Sequence, residues 1–137
     1  MEASWRQPWA FRERANMDGH QASAQSDMPA LARAKRVGPI LRAARHRIDA
    51  EREVPRDVMR QLHEERIFRF LLPRWLDGDE LDLKTHAMVI EAVAKADAST
   101  AWVTSQGAGC AMAAAFLDRT VAQRLFGPAD AVLAWGA

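Results

Sequence analysis

The sequence predicts an all-α domain that ends in one incipient β-strand. Three observations carry this. Apolar residues recur at helical spacing from Leu31 onward. An uncharged, small-residue stretch spans residues 98–117 between charged flanks. The one strand-like run, Ala131 to Trp135, comes last, with no other strand in the chain to pair with. The chain has 137 residues, 49% of them hydrophobic and 27% charged, which suits a single soluble domain with one core. A net charge of +1 excludes a strong electrostatic case for nucleic acid or an anionic membrane. The single cysteine, Cys110, excludes an internal disulfide framework and a Cys-rich zinc site.

Residues 1–28 show no sustained period and mix Gln, Ser, Asp, Gly and charges, so they are expected to be a disordered leader. Met17 and Met28 are alternative starts on that reading. The N-terminus lacks the apolar core of a secretory signal. Arg6, Arg12 and Arg14 would suit a transit peptide, but Glu2, Glu13 and Asp18 argue against one. Without targeting signals or disulfides, a cytoplasmic location is expected.

Leu31, Ala34, Leu41, Ala44 and Ile48 form the seam of an amphipathic helix. Gly38-Pro39 falls inside it and predicts a kink, or a second helix beginning at Pro39. Arg33, Arg36, Arg42, Arg45 and Arg47 occupy the opposite, solvated face. Val54-Pro55 starts the next helix, with Pro55 at its first position and Val58 and Leu62 inward; its end is expected near Ile67. Phe68 to Pro73 is an apolar connector that plugs into the core. Asp77 to Asp82 is acidic, but Gly78 stands second where an EF-hand needs glycine sixth, so it reads as a turn with helix-capping carboxylates.

Thr85 to Asp97 reads as a helix with Val89, Ile90, Val93 and Ala94 as its buried stripe and a Glu91–Lys95 pair on its surface. Residues 98–117 are long enough for a membrane span. Ser99, Thr100, Thr104, Ser105 and Gln106 make that reading poor, and a helix buried inside the domain is expected instead. Ile90 and Trp102 should then be largely buried. Asp118 caps a last helix, whose apolar face is Val121, Ala122, Leu125 and Phe126, and Gly127-Pro128 stops it.

Chemistry-bearing patterns are sparse. His20, His46, His63 and His86 share no metal-ligand spacing, and no metal site is expected. Gly107-Ala-Gly109-Cys-Ala-Met112 begins like a dinucleotide fingerprint. Its third position needs a small residue, however, and Met112 is large. Cys110, among Gly109, Ala111, Ala113 and Ala114, reads as a small buried apolar side chain.

Several segments together resemble one known family. They are Ile48-Asp49-Ala50-Glu51-Arg52 with Val54-Pro55; Leu62-His63-Glu64; Phe68-Arg69 with Leu71-Leu72-Pro73; Val89-Ile90-Glu91; and Ala96-Asp97-Ala98-Ser99-Thr100-Ala101-Trp102. Over about residues 30–137 the chain resembles the N-terminal helical domain of the acyl-CoA dehydrogenase family, nearest the branch that includes flavin-dependent monooxygenases. Three departures stand out. Asp77-Gly78 replaces the family's Gly-Gly turn. Arg66 replaces a glycine after the second helix. Cys110 stands where the monooxygenase branch has a histidine that assists flavin–oxygen chemistry.

The resemblance implies a helical domain over residues 29–128 and the start of a β domain at 129–137. It also implies a flavin, FAD or else FMN, an acyl-CoA-like or other small organic substrate, and a homo-oligomeric full-length enzyme. Trp102, Ser105, Gln106 and Cys110 are the residues it places on one wall of the flavin and substrate pocket. The family's catalytic base and main flavin contacts have no counterpart in this sequence, so the chain alone is expected to be inactive. Two alternatives remain: a flavin-dependent monooxygenase component, and a non-catalytic helical interaction module.

Overall fold

A computed structural model describes the backbone over residues 10–134 and the side chains over residues 29–134. Among the described residues five α-helices form the domain: α1 (Ala10–Glu51), α2 (Arg56–Glu64), α3 (Leu83–Ala94), α4 (Ala98–Ala111) and α5 (Arg119–Phe126). Short 3₁₀ turns at Ile67–Arg69, Arg74–Leu76 and Met112–Phe116 join them. Helix α3 packs on both α1 and α4, and the Ile67–Arg69 turn links α4 to α2.

The seam of α1 is buried as the spacing predicts, through Ala34, Leu41, Ala44 and Ile48, with Ala30 and Val37 added and Leu31 half-buried. Contrary to the expectation of a second helix at Pro39, α1 runs through both Pro29 and Pro39. Val37 and Leu41 are both buried, so packing holds the two halves as one helix. Pro39 itself is exposed, where water can serve the carbonyl it leaves without a donor. The helix also covers residues 10–28 of the segment that reads as a leader; residues 1–9 lie outside the described part. Much of the basic face is paired. Arg36 makes a two-pronged bond to Glu65, Arg47 does the same to Asp57, and Arg33 binds Asp79 while lying over the Phe70 ring. The Arg47 guanidinium draws the Asp57 carboxyl down to about 2, and Arg36 lowers that of Glu65.

Helix α2 ends at Glu64, earlier than the expected Ile67, because Arg66 turns left-handed at φ 58°. Asp77 adopts the same conformation at φ 60°. These are the two positions where the resemblance expects glycine. A side chain in this region crowds its own backbone. Here the two unusual residues face each other, with Arg66 Nη1 2.8 Å from Asp77 Oδ2. Gly78 is different: a Cβ there would stand 1.8 Å from the Leu72 carbonyl oxygen, so no side chain fits.

The connector supplies much of the core, since Ile67, Phe68, Phe70, Leu71 and Leu72 are all buried. The acidic turn does cap a helix. Asp82 accepts from the Lys84 and Thr85 amides and from the Thr85 hydroxyl at 2.7 Å, satisfying donors that the first turn of α3 leaves free. The stripe of α3 needs correction. Val89 and Val93 are buried as expected, but Ile90 is only half-buried, Ala94 is exposed, and Thr85 and His86 take the inward places. In α5, Ala122 and Phe126 are buried whereas Val121 and Leu125 face solvent. Residues 131–134 form no strand among the described residues; Ala131 instead closes a turn by donating to the Pro128 carbonyl at 3.1 Å. Trp135, the end of the expected strand, lies outside the described residues.

Candidate functional site

Helix α4 carries every residue that the sequence assigns to a pocket wall. It starts where Asp97 leaves the helical region at φ −155° and its carboxylate accepts the Thr100 amide at 2.6 Å. That cap divides the run 85–117 into two helices. Thr104 donates its hydroxyl to the carbonyls of Thr100 and Ala101, each at 3.0 Å, so it is satisfied within its own helix and can face the core. The inward face is Thr100, Ala101, Thr104, Gly107, Ala108 and Ala111. All of these are small, which lets α3 and the connector approach closely.

The large residues of the stretch point outward. Trp102 is 69% exposed and Phe116 87%, with Met112 also on the surface. The expectation that Trp102 is largely buried is therefore corrected, as is that of a helix enclosed on all sides. The stretch is uncharged throughout, so hydropathy gives no contrast between its faces. Side-chain size supplies it: small residues go in because close packing favours them, and large ones remain outside.

Of the expected wall residues, Trp102, Ser105 and Gln106 come together on this outer face, the last two half-exposed. Cys110 does not join them in the open; it is 6% exposed and carries a free thiol at the buried edge of the helix. Gly109 leaves open space on the outer side, with nothing within 4 Å of where a Cβ would stand. Helix and 3₁₀ turn together carry the face about 20 Å from Trp102 to Phe116.

A cleft lies towards each end of the strip. One, of ≈ 280 Å³, is lined by Ile48, Asp49, Arg52, Glu53, Val54, Ser99 and Val103. The other, also ≈ 280 Å³, is lined by Leu71, Pro73, Trp75, Glu80, Met112, Ala115 and Phe116. Arg119 stacks 4.9 Å from the centre of the Trp75 ring and steadies it beside the second cleft. Sequence reasoning missed Val103, Met112, Phe116 and Trp75. A signal existed for three of them, since they are the bulky members of an otherwise small-residue run.

The α4 face itself can bind and shield but carries no acid–base group. From 98 to 117 no side chain is acidic, basic or imidazole. His86, the most buried histidine among the described residues, sits on the inward side of α3, where burial lowers its pKa and leaves its Nδ1 without a partner. His63 stacks against Phe68, 5.1 Å between ring centres. Among the described residues, no three His, Cys, Asp or Glu side chains cluster as metal ligands, and no helix is long and apolar enough to cross a membrane. The face offers an exposed indole, two half-exposed polar groups and an apolar far end at Met112 and Phe116, with charged side chains only in the flanking clefts, which suits a flat, mostly apolar ligand lying along it.

Comparison with known proteins agrees with this outline. The family model described as acyl-CoA dehydrogenase, N-terminal domain, matches residues 30–126. The matched region begins at Ala30, the first buried residue of α1 among the described side chains, and closes with Phe126 at the end of α5. No curated protein matches the chain.

Proposed function

The chain belongs to the acyl-CoA dehydrogenase family, and from that premise we propose that the outer face of α4 is one wall of a flavin and substrate pocket. The reaction is oxidation of an acyl-CoA or similar small substrate, with FAD as the cofactor and FMN as the second choice. The observation that carries the reading is a solvent-facing strip, Trp102 to Phe116, that is free of charge and carries bulky apolar side chains at its two ends. Such a strip on an otherwise charged domain marks a surface built to be covered. The folded unit of this reading is residues 29–128, and the full-length enzyme is a homo-oligomer.

The residues present fit a flavin on one side. Trp102 offers an aromatic plane, the open space at Gly109 admits close approach, and Ser105 and Gln106 supply a hydroxyl and an amide for ring heteroatoms. When bound, the flavin supplies the hydride-accepting chemistry. The wall's own work is to orient the ligand, exclude water and contribute hydrogen bonds. It holds no group able to take the substrate proton, so no catalytic residue is assigned in this chain. Hydroxylation is disfavoured, because Cys110 cannot act as an imidazole and lies buried at the edge of the face.

One wall does not enclose a ligand, so tight binding is not expected of this chain alone. Titration with FAD, FMN and an acyl-CoA, followed by flavin and tryptophan fluorescence, tests this. Weak, saturable binding that is reduced in Trp102→Ala supports the reading. Stoichiometric binding at micromolar affinity would mean that the chain contains a complete site, and the single-wall reading would be wrong. No response to any of the three ligands at millimolar concentration would favour a helical interaction module that uses the same face.

A further inference from the structure

Arg69 has no part in the function proposed above, yet it is the most deeply buried charged side chain of the connector, 5% exposed. Its guanidinium is spent on carbonyl oxygens. Nε donates to Asp77 O at 3.1 Å, Nη2 donates to Leu76 O, and Nη1 donates to both Phe126 O at 3.3 Å and Pro128 O at 3.2 Å. The nearest carboxylate oxygen, on Asp77, is 4.0 Å away. A buried cation costs solvation, and here main-chain dipoles from two distant segments replace the lost water. The planar fork of arginine can reach four acceptors at once, which an ammonium cannot.

Two of those acceptors belong to the chain as it leaves α5. The residue before Arg69 serves the same stretch. Phe68 lies against Gly107 of α4, and so does Val132: a Cβ on Gly107 would stand 2.7 Å from Phe68 Cδ1 and 2.9 Å from Val132 Cγ1. Gly107 is one helical turn from Val103 on α4. Arg69 therefore holds the segment at Phe126 and Pro128, and Val132 meets α4 at Gly107, where Phe68 also packs. The segment emerges beside the α4 face, with Val132 39% and Leu133 43% exposed.

We propose that Arg69 is a positioning residue that clamps residues 126–134 as a fixed strap along the flank of α4, so that Val132 and Leu133 widen the apolar wall. The strap's use as pocket wall rests on the proposed function; the clamping does not. Arginine is required at the position because a single-headed donor cannot hold Leu76, Asp77, Phe126 and Pro128 together.

Hydrogen–deuterium exchange of the full chain, without flavin or substrate, tests the clamp separately from the proposed function. In the unmodified protein, amides of 127–134, Ala131 above all, should exchange at least tenfold more slowly than the free-peptide rate. In Arg69→Lys and Arg69→Met, exchange in 127–134 should accelerate tenfold or more, while α1 and α3 keep their protection. Addition of guanidinium ion at tens of millimolar should slow exchange again in Arg69→Met, an effect that a merely structural loss would not give. Free-peptide exchange of 127–134 in the unmodified protein would overturn the proposal, even if the variants fail to fold. Unchanged strap exchange in folded Arg69→Lys and Arg69→Met would overturn it equally. Failure of flavin binding would leave these exchange rates where they are.

Discussion

Gly107 and Gly109 stand two residues apart on α4, and replacing each by alanine should shift stability in opposite directions. In a helix, alanine is favoured over glycine by about 0.8–1 kcal/mol, because glycine gives up more backbone freedom on folding. At Gly109 nothing lies within 4 Å of the new methyl group, so Gly109→Ala should realise most of that gain, roughly 0.5–1 kcal/mol this near the helix end. At Gly107 the methyl would meet Phe68 Cδ1 at 2.7 Å and Val132 Cγ1 at 2.9 Å. Phe68 is 3% exposed and has little room to yield. Overpacking of this kind costs about 1–3 kcal/mol, so Gly107→Ala should range from near neutral to about 2 kcal/mol destabilising. The two variants should differ by roughly 1–3 kcal/mol, or a few to about 15 °C in melting temperature for a domain this size. Urea and thermal unfolding followed by circular dichroism at the helix band would measure both. Equal stabilisation by the two substitutions would refute the close approach of Phe68 and Val132 to α4.

Further outcomes follow from the packing. Leu41, fully buried, should cost about 2–5 kcal/mol when cut to alanine, whereas half-buried Ile90 should cost less than half as much in the same urea titration. A chain that starts at Met28 should melt within a few degrees of the full chain, since residues 1–28 show no apolar period and the family match begins at residue 30; a large loss would give residues 1–27 a structural role. Stability should fall as pH drops. Asp57, Glu65, Asp77, Asp82 and Glu91 all have lowered pKa values, set chiefly by hydrogen bonds from Arg47, Arg36, Arg66, Thr85 and Lys95 respectively. The unfolded chain therefore binds more protons, and this stabilisation, complete above about pH 5, is lost as pH falls through the folded values, that of Asp57 near 2. His86 adds to the same trend earlier. Burial lowers its pKa from 6.5, so acidification below that value favours the unfolded state, and His86→Phe should flatten the upper part of a stability–pH profile.

How much was legible depends on which contrast each segment offers. The α1 seam could be read because Ala34, Leu41, Ala44 and Ile48 alternate with arginines, and that contrast survived to the core. Gly38-Pro39 leaves a kink or a second helix open in the sequence, because a local backbone penalty says nothing of packing; the buried Val37 and Leu41 on either side decide against the second helix. In α3, Val89 and Val93 were found, but Thr85 and His86 were passed over because polar residue types do not advertise burial. The left-handed turn at Arg66 is visible only as a missing glycine, and its ion-pair partner Asp77 lies eleven residues on. The outer face of α4 was located but turned inward at Trp102, because no hydropathy difference separates its two sides. Arg69 belongs to a segment of the family resemblance, but its bonding carries no sequence signal: its acceptors are carbonyls, which every residue has, and two of them come from the far end of the domain.

If the strip from Trp102 to Phe116 faces the flavin and substrate as proposed, a site-resolved titration will show it. Amide and indole resonances of the ¹⁵N-labelled full chain would be followed while FAD, and separately an acyl-CoA, is added to millimolar concentration. Shifts should concentrate at Trp102, Ser105, Gln106, Gly109, Met112 and Phe116, with the Trp102 indole among the largest, and little change along α1 and α2. Shifts centred elsewhere, such as the Arg33 and Arg74 groove beside Gly78, or no shift along α4 with either ligand, would contradict it.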